Sequence, residues 1–576
     1  MPDLRKISYQ KAQAWRDTSL PEDLAQELKS LWDQEEEIIE RFYTDIDFGT
    51  GGLRAKMGVG SCRMNVLTLS HITRGLARYL LKKNPSPQVV ISYDSRFQSS
   101  DFARTTAAVL EDEGVRAHLF EALRPTPMLS WALRYHKAQA GVMITASHNP
   151  KDYNGYKVYN ERGALMSGEE AKNLLEELGK GDLLQGVSPE VLAKADTCAR
   201  VEKSADQRYL QCLDECLSKH GIPRRAKDSS PIRVVYTALH GTGGTLVPKW
   251  LRTRNIEVHE VAEQATPDGE FPTVISPNPE EEEALSYGIQ QAIALKADLV
   301  LASDPDADRM GVALREGKGY RILNGNQIAV ILLYFLLSKK EEQQNISPQN
   351  FIVKTIVTTP LMEVIAREFG ILCHNTLTGF KYIASLIEAH GAENFLMGAE
   401  ESHGYLIGGE VSRDKDGVQA CALMAEACAW AQGQNKTLWS LLLEIYQRFG
   451  LHKDRLIVLS MDGKAGRDKR QRIMQVFRNQ PLGDLLGSRV EEKIDYLKPT
   501  ANIPQADVLQ FRTQDHLLVS LRPSGTEPKI KFYLNSQKTL SSQEDPGQEH
   551  LKSLEEDLEK RMDKVEKNLR AFIEKL

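Results

Sequence analysis

Gly141-Val142-Met143-Ile144-Thr145-Ala146-Ser147-His148-Asn149-Pro150 is the stretch from which the fold is read. Its small and apolar first half reads as a buried strand, and its polar second half as the loop at that strand's C-terminal end. In open α/β sheets, ligands bind in the crevice beyond such strand ends. Ser147 therefore stands where a nucleophilic or phosphate-carrying hydroxyl meets a substrate, with His148 beside it as a candidate base. A Ser-His pair alone is common in ordinary turns, so its meaning depends on the rest of the chain.

Upstream, the apolar spacing predicts helices over residues 1 to 44, through Leu24, Leu28, Leu31, Trp32, Ile38, Ile39 and Phe42. Phe48-Gly-Thr-Gly-Gly-Leu-Arg54 follows. Its glycines let backbone N–H groups approach an anion, and Arg54 adds a fixed charge. A helix over Leu67 to Leu81, a strand over Val89 to Tyr93 ending in Asp94-Ser-Arg96, and a strand over Ala117 to Phe120 lead into the Ser147 strand. Such alternation predicts a largely parallel, doubly wound sheet.

The pattern then restarts twice. Strands over Ile232 to Tyr236 and Ile256 to Val261 precede Asp298-Leu-Val-Leu-Ala302, which runs into Ser303-Asp304-Pro-Asp306-Ala-Asp308-Arg309. The acidic run Glu280 to Glu283 is expected in a helix's first turn, where it suits the macrodipole. A third cycle begins near Asn324. Its strand over Phe351 to Val357 precedes the helix opened by Leu377-Thr378-Gly379-Phe380-Lys381. Asn394 to Met397 then leads into Glu400-Glu401-Ser402-His403. Three apolar strands running into three polar loops predict an internal repeat. From about 450 the pattern changes to alternating strands (Leu517 to Leu521, Ile530 to Leu534) around Arg522-Pro-Ser524-Gly525-Thr526, then a helix from Leu551 onward. The expectation is an α/β protein with a helical arm over 1–44 and four domains: three similar units over 45–205, 206–322 and 323–448 with mixed or parallel sheets, and a smaller α+β domain over 449–576, arranged around a central cleft.

Composition narrows the function classes. The 576 residues are 41% hydrophobic and 26% charged with net charge −6, which gives no basic footprint for nucleic acid. No run approaches the ~18 apolar residues of a membrane span. Seven scattered cysteines form neither a disulfide framework nor a zinc pattern and suit a reducing compartment. With Pro2 and early charges in place of a signal-peptide core, a cytoplasmic protein is expected.

The loops carry the chemistry. Asp304, Asp306 and Asp308 alternate along an extended segment that can aim three carboxylates at one point, and such hard oxygen ligands select Mg²⁺ or Ca²⁺. An EF-hand is excluded, because its required glycine and glutamate are here Arg309 and Arg315. Arg309 could bind a phosphate that the metal also touches. Arg522, Ser524, Gly525 and Thr526 offer a guanidinium, two hydroxyls and open backbone N–H groups to a dianionic phosphate.

In order and spacing, Thr145-Ala-Ser147-His148-Asn149-Pro150, the Asp304–Arg309 loop, Glu400-Glu401-Ser402 and Arg522-Pro-Ser-Gly-Thr-Glu-Pro528 resemble the motifs of the α-D-phosphohexomutase superfamily, over nearly all of residues 45 to 535. The glycine-rich Phe48–Arg54 segment and the chain length look like its long-chain phosphoglucomutase and phosphopentomutase branch. The resemblance implies a phosphorylated Ser147 and one Mg²⁺ per chain held by Asp304, Asp306, Asp308 and a phosphoserine oxygen. It implies sugar binding by Glu400 and Ser402 beside a Thr378-Gly379 specificity loop, and a grip on the non-reacting phosphate at Arg522–Thr526. Lys157 and Lys415 match the family's general acid/base lysines. The histidine of the dual-specificity members falls at Gly404, with His403 one residue early. The implied activity interconverts glucose 1-phosphate and glucose 6-phosphate through glucose 1,6-bisphosphate, which also serves as activator. Alternatives are a phosphopentomutase, a phosphomannomutase, an Mg²⁺-dependent sugar phosphatase or a silent sugar-phosphate-binding paralogue. The expected partner is a small sugar phosphate, and the expected state a monomer or weak homodimer.

Overall fold

The strand Ala140–Ile144 lies inside a six-stranded sheet, and all five of its residues are buried. This computed structural model describes residues 4–46, 52–226, 229, 231–461, 463–479, 487–499, 503–524, 529–538 and 548–576. Phe48 to Gly51 and Gly525 to Pro528, parts of two expected anion-binding segments, lie outside the described residues.

Ala140–Ile144 pairs in parallel with Gln88–Tyr93 and antiparallel with Tyr153–Asn160, so Val142 sits between Ile91 and Val158. Gly52–Lys56 extends the sheet beyond Tyr153–Asn160, and Arg116–Leu119 extends it beyond Gln88–Tyr93. Helix Val66–Lys83 starts at Asn65, whose side chain accepts from the Leu67 and Thr68 N–H groups while Thr68 returns a bond to the Asn65 N–H. That reciprocal cap satisfies helix-end donors that would otherwise be buried without partners. Leu69, Ile72 and Leu76 of this helix pack with Val142, Ile144 and Val158. Full burial of each such side chain is worth about 1.5–3 kcal/mol. The N-terminal helices Leu4–Arg16, Glu22–Leu31 and Glu35–Phe42 pack on the same body through Trp15, Leu28, Ile38 and Phe42 against Val59 and Leu67.

The expected repeat is visible as topology. In the second sheet, Ile232–Thr237 pairs in parallel with Ile256–Glu260 on one side and Leu299–Ser303 on the other, and Met310–Glu316 returns antiparallel beside Leu299–Ser303. The first sheet has the same order in Gln88–Tyr93, Arg116–Leu119, Ala140–Ile144 and Tyr153–Asn160. The third repeats its parallel part, with Phe351–Thr355 between Leu372–Thr376 and Phe395–Glu400. In each case the third strand runs into one of the three polar loops, and each loop turns through a non-glycine residue in the left-handed region: Ser147 (φ +53°), Ala307 (φ +50°) and His403 (φ +62°). Side chains enter that region at a cost, in tight turns and in clusters at active sites.

The last sheet is antiparallel, in the order Leu451–Ser460, Lys529–Lys538, Leu517–Pro523, Leu509–Thr513, Val490–Asp495. Helices Gly463–Asn479 and Gln548–Glu574 cover it, and Phe477, Phe511, Phe532, Met562, Val565 and Leu569 form the core. The chain thus carries three α/β sheets and a fourth, antiparallel one. By internal packing it divides into two units, Met1–Ile322 with Gly404–Ala425, and Leu323–His403 with Glu426–Leu576. Among the described residues, no helix is long and apolar enough to cross a membrane.

Two local expectations differ from the structure. Helix Glu282–Leu295 begins after Glu280, which instead takes a 2.5 Å ion pair from Arg309. Arg522 and Pro523 belong to strand Leu517–Pro523, because Arg522 pairs with Lys531 across the ladder, so the loop starts only at Ser524.

Candidate active site

Ser147 is fully buried at the strand end, and its Oγ donates to Asp304 Oδ2 at 2.6 Å. The loop is held in shape by three residues. Thr145 Oγ1 donates to Asp94 Oδ2 at 2.6 Å and accepts from the Ser147 N–H at 2.8 Å. Asp94 also accepts from the Arg96 N–H and the Ser99 hydroxyl. The Arg96 guanidinium donates to four loop carbonyls, those of Ser147, Asn149, Pro150 and Tyr153. The Asp94-Ser-Arg96 strand end was legible in the sequence, but its task of clamping the Ser147 loop was not. A polar pair at a neighbouring strand's C-terminal end is the signal that points to it.

The Asp304–Arg309 loop meets Ser147 from the second sheet. Gly241 permits this approach, since a Cβ there would fall 2.4 Å from Pro305 Cα. The Thr242 N–H and hydroxyl both donate to the Pro305 carbonyl, at 2.8 and 2.9 Å. Thr126 donates its N–H to the Asp306 carbonyl and its hydroxyl to Asp306 Oδ2. Asp304, Asp306 and Asp308 are all buried, and each offers a carboxylate oxygen within 4.8 Å of the others.

Two lysines answer this charge. Lys157 Nζ lies 2.7 Å from Asp306 Oδ2 and 3.4 Å from Asp308 Oδ2. Lys415 Nζ lies 3.3 Å from Asp308 Oδ2 and 3.6 Å from Asp414 Oδ1. Burial and the other two carboxylates push Asp304 well above the usual carboxylate range. Burial opposes ionisation at Asp306 too, but Lys157 outweighs it and holds that carboxyl below its ordinary value. Asp306 Oδ1 and Asp308 Oδ1 are buried without a hydrogen-bond partner. Three converging carboxylates with unsatisfied buried oxygens match the hard, oxygen-only donor set of Mg²⁺, so the residues fit that ion.

The remaining expected residues of this unit gather around the same point. His148 Nδ1 is 3.2 Å from Ser147 Oγ, and burial with the nearby Arg309 and Arg54 charges pushes the imidazole well below its ordinary value, so it stays neutral. Arg54 sits on Gly52–Lys56 opposite Gly155, with Nη1 3.4 Å from Asn149 Oδ1. Arg309 donates its backbone N–H to Asp304 Oδ1 and its Nη1 to Glu280, so its side chain is engaged by an acid.

The second unit carries the other expected group. Glu400 ends strand Phe395–Glu400, and its Oε1 accepts the Gly379 N–H at 2.6 Å, which ties Thr378-Gly379 to the third loop. Ser402 and Thr378 are half-buried. Glu401, adjacent to Glu400, faces the Thr355 and Thr358 hydroxyls; burial and the Glu400 charge push its carboxyl up to about 7. His403 is buried, its ring 3.0 Å from where a Gly325 Cβ would stand, and it serves to pack the third loop on helix Gly325–Glu342. The Arg522 charge acts on Glu401 and Tyr533, and Lys381 is pushed down by burial and by Arg522. Two cations that disfavour each other form a place where an anion is stabilised. Lys381 stood in the sequence as the start of a helix, and its nearness to Arg522 is set by the fold. The Ser524 N–H is spent on the Lys529 carbonyl. Gly525 and Thr526 lie outside the described residues.

Comparison with known proteins decides the family. Residues 45–185, 207–317 and 324–449 match in turn the alpha/beta/alpha domains I, II and III of phosphoglucomutase/phosphomannomutase. The chain belongs to the phosphoglucomutase/phosphomannomutase family. It is 36% identical over 527 residues to a phosphoglucomutase of Staphylococcus aureus, covering 88% of this chain and 93% of that protein. Among solved structures, parafusin, a phosphoglucomutase from Paramecium in its open form, aligns with a TM-score of 0.65 at 17% identity over 91% of this chain and 96% of that one. A phosphoglucomutase/phosphomannomutase family protein from Burkholderia thailandensis aligns with a TM-score of 0.64 at 18% identity, over 90% and 98%. The two structures carry the fold, and the Staphylococcus relative carries the membership of the α-D-phosphohexomutase superfamily and the mutase class of enzyme.

Proposed function

We propose that this family member interconverts glucose 1-phosphate and glucose 6-phosphate through a phosphorylated Ser147 and a glucose 1,6-bisphosphate intermediate. The observation that carries the reading is Ser147 Oγ, aimed by a left-handed turn at Asp304 within a triplet of carboxylates that two lysines offset. Phosphoryl transfer depends on in-line positioning and on neutralising charge spread over the equatorial oxygens. Asp304, Asp306 and Asp308 would hold one Mg²⁺, which when bound neutralises charge on a phosphate oxygen.

The chain's own residues supply the rest. The Thr145–Asp94–Arg96 clamp fixes the direction of Ser147 Oγ. Neutral His148 is within reach of that oxygen and can accept a proton from it or from the hydroxyl that replaces it. Lys157 and Lys415 keep the carboxylates from repelling the incoming phosphate. Glu400 and Ser402, with Thr378-Gly379, would hold the sugar hydroxyls. Arg522 with Ser524, Gly525 and Thr526 would hold the phosphate that is not reacting, helped by Lys381. Arg54 and Arg309 would stabilise the phosphate at the Ser147 end, with Arg309 exchanging Glu280 for that anion. The domain boundaries at about 45, 206, 323 and 449, a cytoplasmic setting and a small sugar phosphate as sole obligatory partner complete the reading.

Ser147→Ala tests it. Turnover should fall almost to zero, and intact mass should lose the fraction of chains about 80 Da heavier that wild type shows, the mass of one added phosphoryl group. Full turnover in the variant refutes the covalent route. Release of free phosphate without an isomeric sugar phosphate makes the protein a phosphatase.

A further inference from the structure

A second set of metal-competent side chains converges in the first unit, and the proposed reaction does not use it. Cys216 and His220 lie four residues apart at the end of helix Ala205–Lys219, a spacing that puts both on one face. Glu410 reaches them from the segment after strand Gly404–Ile407. One donor atom from each of the three lies within 4.8 Å of the others, and Cys216 Sγ is 3.8 Å from Glu410 Oε2. Cys216 and His220 are buried, while Glu410 is partly open to solvent.

Gly408 shows how closely the three converge. It is in the left-handed region at φ +63°, and a Cβ there would stand 2.7 Å from Cys216 Sγ, 2.7 Å from Glu410 Oε2 and 2.9 Å from His220 Nε2. The sulfur, oxygen and nitrogen, supplied by a helix and a separate segment, thus crowd one small volume beside the Gly408 backbone, and a side chain at 408 would collide with all three. The two oxygens of Glu410 divide their work: Oε1 takes Lys219 Nζ at 3.6 Å, and Oε2 faces the sulfur. The thiol's contact with the Ile407 carbonyl, at 3.5 Å, is long, and a thiol is a weak donor. Burial and the Glu410 charge push the Cys216 thiol up, so a thiolate there needs a cation beside it.

We propose that Cys216 Sγ, His220 Nε2 and Glu410 Oε2 bind a borderline-soft divalent cation of the Zn²⁺ kind, with the fourth tetrahedral position open. Mixed sulfur, imidazole and carboxylate donors suit Zn²⁺ and are poor ligands for Mg²⁺, which the all-oxygen Asp triplet suits. Metal bonds of about 2.0–2.3 Å require the three donors, which lie within 4.8 Å of one another, to draw in around the ion. On binding, the thiol proton leaves to solvent, one per ion. Gln419 orients the sulfur from outside: its Nε2 donates to Cys216 Sγ and to the Ile407 carbonyl, while its Oε1 accepts the Ile407 N–H. The ion would brace the 404–417 segment, which Arg134 already holds through the Glu410 and Val411 carbonyls and which delivers Asp414 and Lys415 to the site.

The test uses the full chain, stripped with a chelator and then kept in excess Mg²⁺ so that the Asp triplet is saturated. Titration with Co²⁺ should produce a thiolate-to-cobalt charge-transfer band that saturates at one equivalent, and competition with a chromophoric chelator should give one Zn²⁺ per chain. Cys216→Ser should abolish the band, and Glu410→Gln should weaken Zn²⁺ binding on the order of tenfold or more. Turnover with Mg²⁺ should stay within about twofold in both variants, since neither side chain touches the reacting groups. Absence of the band in wild type, which needs no variant to fold, overturns the proposal. Equal Zn²⁺ affinity in wild type and Glu410→Gln also overturns it, and would leave adventitious binding through surface groups only.

Discussion

Replacing Lys157 with methionine isolates what the Asp triplet costs the protein without its cation. Methionine keeps an unbranched side chain of nearly the same length and removes the charged ammonium with its N–H donors. In the structure that charge sits 2.7 Å from Asp306 and 3.4 Å from Asp308, with all three groups buried. At an effective dielectric of about 20, the two gross attractions are about 6 and 5 kcal/mol. Desolvation of the ammonium cancels much of this, and deleting one partner of a buried pair costs about 3–5 kcal/mol because the other charge stays behind. Lys157→Met should therefore lose about 3–5 kcal/mol of stability in chelator-containing buffer. Saturating Mg²⁺ replaces the missing charge, so the loss should shrink by about 2–3 kcal/mol. By linkage, the same difference requires the variant to bind Mg²⁺ about 30- to 150-fold more tightly than wild type. Denaturant unfolding followed by the buried Trp131 and Trp250 of the first unit, with and without Mg²⁺, reads the stability terms. Calorimetry reads the affinity. A loss that is the same in chelator and in Mg²⁺ refutes the idea that Lys157 stands in for the cation.

Arg522→Ala should raise KM for glucose 1-phosphate more than it lowers Ser147 phosphorylation. Charge-assisted bonds to the non-reacting phosphate, worth about 1.5–3 kcal/mol, are lost; unchanged KM and kcat remove Arg522 from the site. Burial pushes the Asp416 carboxyl up to about 6 from its ordinary 3.8. The folded state therefore holds a proton that the unfolded state has released, and this stabilisation is full below about pH 4 and lost as pH rises through 6. Asp416→Asn should flatten that fall, by no more than about 3 kcal/mol, in unfolding curves taken between pH 4 and 7; an unchanged slope excludes Asp416 as its source. Comparison of glucose, ribose and mannose 1-phosphates should give glucose the highest kcat/KM, since a carboxylate built for one hydroxyl orientation is left unpaired by an epimer. A tenfold preference for ribose or mannose overturns the reading of the Glu400 loop.

The sequence alone determined the α/β class, the threefold recurrence of strand and polar loop, and the residues of each motif. It could do so because strand hydrophobicity, turn chemistry and motif spacing are local properties, written within a dozen residues. Ser147, Asp304, Asp306, Asp308, Glu400 and Arg522 stand out as candidates in this way, and the resemblance of their motifs to a known family suggests their roles. What the tertiary structure decided is which side chains answer them. Lys157 and Lys415 were recognisable as candidate acid/base groups, but only the fold places both ammoniums on the carboxylates of the second sheet's loop. Arg96 lies 51 residues from Ser147, whose carbonyl it holds. Arg309 and Glu280, far enough apart to look unrelated, form an ion pair. Long-range pairing depends on register between strands and on the close approach of loops such as Gly241 to Pro305, and neither leaves a periodic trace in the chain. The Cys216–His220–Glu410 cluster shows the same limit. Two of its members share a helix face, but the third is 190 residues further on, and folding alone brings it to them.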